Sequence, residues 1–366
     1  NKFIHQKNIY SDETCYFVCF DIGEGKRIPT IENNNVLENL IMHYDAYLFH
    51  EEDLYNLVNT GRQWFGESFS FNYLQSFNTP VNNWNMDTLL FSARLVARSS
   101  NSTSFNISFG NSSIGNFPIS PIQNNGSNYS SVFVQEYFYP NIFNSTISFN
   151  YNNNGNNSAE AWLDYYTLQG RANLASNSGS SQFLFRDVRS IGSNFSSFGI
   201  QSNMPSISVW DVTDPINVNS ILLNKTNQVF YFTTPHESLR EFLVFQDPVQ
   251  DAFSPQFVEF VPSQNIHAFS NPTYIIVTHP DFLNAANRLA NHHINNNNDN
   301  VLVVTTEEVY NEFSTGSQDI SAIRNMLKMF YDRAEDPSQM PKNLLLFGDA
   351  SFDYKNKLYG VSNYVP

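Results

Sequence analysis

Tyr274-Ile275-Ile276-Val277-Thr278 is followed at once by His279-Pro280-Asp281. The first five residues form an unbroken, largely β-branched run, the pattern of a strand buried on both faces of a parallel sheet. Pro280 suits the first position of a helix, where its missing N–H leaves no bond unmade. Phe282, Ala285, Ala286, Leu289 and His293 then recur at helical spacing, until asparagines dominate at 295–300. Val301-Leu302-Val303-Val304-Thr305 repeats the buried-strand pattern. Thr315 and Gln318 read as a capping box for a helix carrying Ile320, Ile323, Leu327, Phe330 and Tyr331. Pro337 and Pro341 stop that helix, and Leu344-Leu345-Leu346-Phe347 supplies a third strand that exits at Gly348-Asp349. Strand–helix–strand–helix–strand with right-handed crossovers predicts a three-stranded parallel sheet with helices on its faces. Three such strands leave a long apolar edge, so the segment is expected to be the first, incomplete part of a larger α/β domain.

Upstream of the polar linker at 265–271 the grammar is all-β. Leu89, Phe91, Ala93, Leu95 and Ala97 alternate with a more polar set, giving one apolar face. Further short strands are predicted at 131–139, 161–168, 182–185, 207–212, 228–232 and 240–245, with turn clusters such as 152–156 between them. Cys15 to Phe20 reads as another strand, and 36–42 and 51–60 as short helices. The predicted organisation is a β-rich, sandwich- or jelly-roll-like region over 1–269, followed by the start of the α/β domain over 270–366.

Composition agrees with a β-rich chain. Only 14% of the 366 residues are charged, while 33 Phe and 19 Tyr provide a large aromatic payload. Long amphipathic helices want more Glu, Lys and Arg than this. The net charge of −15 repels phosphate backbones, which argues against nucleic acid as a partner. No apolar run reaches the ~18 residues of a membrane helix, and the chain opens at Asn1 without a signal-peptide pattern. The two cysteines, Cys15 and Cys19, would lie roughly 13 Å apart on one strand, beyond disulfide reach.

Ligands of open parallel sheets bind beyond the carboxyl ends of the strands. That rule selects His279 and Asp349 as candidate substrate-binding residues, although each also makes sense as a turn residue. Asp211 and Asp214 are candidate ligands for a structural calcium ion, and a strand-ending turn explains them equally well. His292 and His293, being adjacent on a helix, point in different directions and do not make a metal site with Asp299. Gly23-Glu24-Gly25-Lys26 lacks the spacing of a phosphate loop. No Ser–His–Asp or Cys–His constellation is present, so no catalytic residue is assigned within the chain.

Tyr274 to Leu283, Tyr310-Asn311-Glu312-Phe313-Ser314-Thr315-Gly316, Ile323 to Arg333 and Leu344 to Asp349 resemble the start of the catalytic domain of the gingipain-like cysteine peptidases, in particular the sortases of the type IX secretion system. Gly61-Arg62-Gln63-Trp64-Phe65-Gly66-Glu67 and Trp210-Asp211-Val212-Thr213-Asp214-Pro215 are similar to the β-rich region that precedes that domain. The resemblance implies a gingipain/caspase-like α/β fold at the cell surface, associated with the outer membrane of a Gram-negative cell. It implies cleavage of C-terminal sorting domains from cargo and transfer of the new carboxyl end to a lipopolysaccharide-type acceptor. It also implies an outer-membrane barrel partner, PorV, no required cofactor, and a catalytic Cys and His beyond residue 366. Two other functions are open: a gingipain-like secreted protease that uses water as acceptor, and a carbohydrate-binding or adhesion module built on the aromatic-rich β region.

Overall fold

The computed structural model describes residues 3–20, 22–33, 37, 39–81, 83–85, 88–123, 128–140, 146–176, 182–192, 194–235, 237–246, 255–358 and 363–365. Its two compact units are discontinuous in sequence. One comprises residues 1–5, 24–55 and 65–256, the other 6–23, 56–64 and 257–366.

The first unit is all-β, as its composition predicts. A four-stranded antiparallel sheet orders His43–Glu51, Glu160–Asn173, Leu89–Arg98 and Ser130–Phe138. A second sheet orders Leu74–Asn78, Thr146–Asn152, Thr103–Phe109 and Ser112–Ile119. Their inner faces form one core, in which Phe91, Ala93 and Leu95 meet Phe105, Ile107 and Phe149. The alternation along 89–98 therefore has its expected cause: one side of each strand is sealed against the facing sheet. A bulge between Leu163 and Tyr165 interrupts the pairing of 160–173 with 89–98, and Asp164 there accepts a bond from Arg94 Nη1 at 3.0 Å.

A second core lies between two further sheets. One orders Thr30–Ile31, Asn219–Ile221, Ser208–Asp211, Phe242–Phe245 and Gln182–Phe185. The other orders Ala175–Ser176, Phe195–Ser202, Val229–Pro235 and Asn224–Thr226, with Leu40–Ile41 pairing to 197–198. Phe185, Phe198, Phe232 and Phe242 stack and edge together in its centre. Tyr44 packs against both cores of the unit.

Four local expectations are corrected. Residues 36–42 do not form a helix: Asn39 adopts a left-handed backbone (φ 46°) and Leu40–Ile41 is a strand, while Val36 lies outside the described residues. Residues 51–60 are not helical either. Glu51 ends a strand, Tyr55 bridges Phe65, and the Asn56 carboxamide closes a turn on the N–H groups of Val58 and Thr60. Cys15 to Phe20 is unpaired chain, with Tyr16 and Phe20 more than three-quarters exposed. Thr315 is not a cap. It lies in the left-handed region (φ 57°), and Asp319 caps the third helix by accepting from the N–H of Ser321.

The second unit holds the predicted parallel sheet. Its order is Val301–Thr305, Tyr274–Thr278, Asn343–Phe347, so the first strand in sequence is central. Odd-numbered Ile275 and Val277 face Thr306–Phe313 and Ile320–Arg333, meeting Val309, Ile323, Met326 and Phe330. Ile276 faces the opposite way, onto Ala286 and Ala290 of Leu283–Asn297. Burial on both faces is why the central strand carries a continuous apolar run, whereas Leu344 and Leu346 of the 343–347 strand are exposed. Asn298 in the left-handed region ends the first helix (φ 56°). A full capping box between Thr305 and Glu308 starts the second helix directly at the strand end.

Candidate functional site at the carboxyl edge of the parallel sheet

The central strand leads to one side of the sheet and the chain then returns across it to Asn343–Phe347. The topological switch therefore lies between 274–278 and 343–347, and ligands of such sheets bind at that place. Thr278 pairs with Phe347 in the register, so the next residues on each strand, His279 and Gly348, leave side by side. His279 and Asp349 thus follow the ends of two neighbouring strands.

Thr278 is fully buried and ties the two strand ends together. Its hydroxyl lies 3.1 Å from the carbonyl of Phe347, to which it donates, with the His279 carbonyl also in reach at 3.2 Å. His279 caps the short 3-10 turn Pro280–Phe282, its Nδ1 accepting from the N–H of Asp281 at 3.2 Å. An accepting Nδ1 places the proton of a neutral ring on Nε2. The Asp281 carboxylate lies 3.5 Å from the same Nδ1, but it is largely exposed. Asp349 is exposed, and its backbone carbonyl accepts from the N–H of Tyr364 at 3.1 Å.

Tyr364 was not foreseen. Its ring meets His279 edge-on at 5.2 Å and Phe282 at 5.0 Å. A Cβ on Gly348 would come within 3.1 Å of the Tyr364 Cβ and 3.2 Å of the Val365 Cγ1. The strand exit is glycine because the returning segment occupies that space. Asp353 was also missed. It is fully buried in the loop after the strand, where Oδ2 accepts from Leu358 N–H at 2.6 Å and its own N–H donates to Ser351 Oγ at 2.9 Å. No periodic pattern announces either residue. Their roles come from a loop that folds back on its own strand.

The strand ends offer an imidazole, a carboxylate and an aromatic ring. No cysteine is among the described residues that the structure places there. Cys15 lies beside the turn at Gly316 in unpaired chain, Cys19 is exposed, and both are free thiols. Among the described residues no three His, Cys, Asp or Glu side chains are placed to hold a metal ion. Asp211 accepts from Thr213 and from Arg240 Nη1, the latter at 2.5 Å. Asp214 accepts from Ile216 N–H and Asn217 Nδ2, and these bonds hold its carboxyl below the usual range. Both aspartates are thus turn-forming residues. His293 bonds Asp299 and packs on Tyr274, whereas His292 bonds Asn296.

No curated protein matches the chain. Residues 267–366 match the family model of Peptidase family C25. Among solved structures, the crystal structure of dimeric latent PorU from Porphyromonas gingivalis superposes with a TM-score of 0.73 at 23% identity, over 91% of this chain and 32% of that one. The chain therefore spans about a third of that protein. A CBM36-1 domain of a multidomain xylanase from the hindgut metagenome of Trinervitermes trinervoides aligns with 34% of this chain and 97% of its own at 14% identity, with a TM-score of only 0.23. The chain accordingly shares the fold of the matching part of PorU, and its segment over 267–366 matches peptidase family C25.

Proposed function

We propose that the chain is the front part of a cell-surface cysteine peptidase acting as a sortase of the type IX secretion system. It would remove C-terminal sorting domains from cargo and join the new carboxyl end to an amine on a lipopolysaccharide-type acceptor. A thiolate attacks the peptide carbonyl and the sorting domain leaves with a proton supplied by a histidine. The resulting thioester then passes its acyl group to the acceptor amine, which regenerates the thiol. We assign that thiol and histidine to chain beyond residue 366, and the outer-membrane barrel PorV as the partner that keeps the enzyme at the membrane.

One observation carries this reading. The strand ends that lead into His279 and Gly348–Asp349 lie at the switch point of a parallel sheet, inside the segment that matches peptidase family C25. In this account His279 and Asp349 line the substrate crevice, and Thr278 and Gly348 shape it. No helix among the described residues is long and apolar enough to cross a membrane, and a barrel partner would provide the anchorage.

The test uses the full-length protein, a cargo ending in its sorting domain, and a soluble primary amine, with products read by intact mass. The proposal predicts a cargo product heavier than the hydrolysis product by the mass of the amine less one water. Cargo cut but never joined to the amine makes the protein a plain protease, and uncut cargo removes the peptidase reading.

A further inference from the structure

In the β-rich unit, an open surface hollow of about 190 Å³ is lined by Asn83, Asn173, Ala175, Gln201, Ser202 and Asn203. It lies where the ends of Glu160–Asn173 and Phe195–Ser202 meet Ala175–Ser176. The volume is several times the roughly 30 Å³ that a water takes in the liquid. Its chemistry is unusual in being wholly uncharged and almost wholly amide. Among the described residues, the carboxamides of Asn83, Asn173, Gln201 and Asn203 make no hydrogen bond within the chain. Each presents one carbonyl acceptor and two N–H donors. Ser202 is buried, and its Oγ accepts from Met204 N–H, which leaves its own proton to donate.

The backbone beneath these groups is fixed. Asn173 N–H donates to the Asn83 carbonyl at 2.8 Å, Gln201 N–H to Leu174 at 2.9 Å and Ser202 N–H to Gln228 at 2.8 Å. The main chain that carries the amides is therefore tied down, while the side chains of Asn173, Gln201 and Asn203 are exposed.

The lining selects a ligand class by exclusion. A divalent cation finds no carboxylate here to neutralise it. A phosphate finds no Arg or Lys in the lining, and it meets a chain of net charge −15. An apolar side chain finds only the Ala175 methyl. Neutral hydroxyls, each both donor and acceptor, match forked carboxamides, and adjacent hydroxyls can engage one amide through both its oxygen and its nitrogen. We propose that this hollow is a binding site for one sugar ring of a neutral glycan. The site is separate from the sheet crevice and does not depend on the peptidase reading.

The test is saturation-transfer NMR on the full-length protein with methyl glucoside, methyl galactoside, methyl mannoside and N-acetylglucosamine, together with inorganic phosphate and calcium titrations as controls. Transfer to at least one sugar is expected. In the Asn173→Ala/Gln201→Ala double variant that sugar should bind at least ~tenfold more weakly, since each lost neutral hydrogen bond is worth about 1 kcal/mol. Both side chains are exposed, so the variant should melt with the parent. A Gln135→Ala variant, altered on the 130–138 strand and outside the hollow's lining, should bind like the parent. Absence of transfer to all four sugars overturns the proposal. So does transfer that is unchanged in a folded double variant, or saturable phosphate or calcium binding at the same residues.

Discussion

Thr278 donates its hydroxyl to the carbonyl of Phe347 at 3.1 Å, and this bond joins the ends of two parallel strands at the point where the sheet reverses direction. Main-chain pairing sets the strands side by side. The side-chain bond fixes how His279 and Gly348 leave them. Thr278→Val keeps the β-branched shape and removes only the donor. It should cost about 1 kcal/mol. Denaturant unfolding of the full-length protein checks this, and an unchanged midpoint would mean that the bond contributes nothing.

Gly348→Val places two methyls where Tyr364 and Val365 now lie, 3.1–3.2 Å from the position of a Cβ. The returning 363–365 segment must then move, and with it the ring beside His279. We expect loss of cargo processing with the far-UV spectrum retained. Gly348→Ala, which demands a smaller displacement, should keep part of the activity. Normal processing by the valine variant would contradict the role assigned to this exit.

Arg171 holds two carboxylates at once in the β-rich unit. Its guanidinium bonds Asp187 through both Nη atoms, at 2.8 and 2.6 Å, and Asp45 at 2.7 Å. The Asp187 side chain is fully buried. Arg171→Met leaves that charge buried without its partner, which should cost about 3–5 kcal/mol. Exchanging Asp187 for Asn in the same variant should restore part of the loss, as a double-mutant cycle measures.

Glu312 clamps the turn before the parallel sheet to the second helix. Burial pushes its pKa up, but bonds from Gln264, from the N–H groups of Ile266 and His267 and from the His267 ring outweigh that, and the carboxyl sits below its ordinary value of 4.5. A pKa depressed in the folded state contributes stability above the unfolded value and loses it as pH falls through the folded one. Glu312→Gln should therefore be less stable than the parent at pH 7. The gap should narrow below about pH 4.5. Unfolding midpoints across that range check this, and a gap independent of pH would contradict it.

Phe149 lies at the centre of the first β core, against Phe77, Phe91 and Tyr166. Phe149→Ala should destabilise the unit by ~3–5 kcal/mol, and Phe149→Leu by distinctly less because more of the cavity stays filled. Thermal melts of both variants test the order.

The parallel sheet was legible because strands buried on both faces must be apolar throughout, and Tyr274–Thr278 and Val301–Thr305 satisfy that without interruption. The 89–98 strand was legible by its alternation. The false helices at 36–42 and 51–60 have helix-compatible apolar spacing, but Asn39 and Asn59 turn left-handed and pairing elsewhere prevails. The helix Thr306–Phe313 was missed although Thr305 and Glu308 spell its cap, because the strand before it leaves no visible loop. His279 and Asp349 were selected by a rule about strand ends, and the structure sets them after neighbouring strands. Tyr364 obeys no period, since a segment folding back on its own strand brings it beside His279.

The central claim is that substrate lies across the carboxyl edge of the parallel sheet, between His279 and Gly348–Asp349. A structure of the full-length protein trapped with a cargo-derived peptide bearing a thiol-reactive carboxyl end tests it most directly. The account predicts a covalently held peptide passing over the ends of the 274–278 and 343–347 strands, within contact of the His279 ring. A trapped peptide lying elsewhere, with this crevice empty, would contradict it.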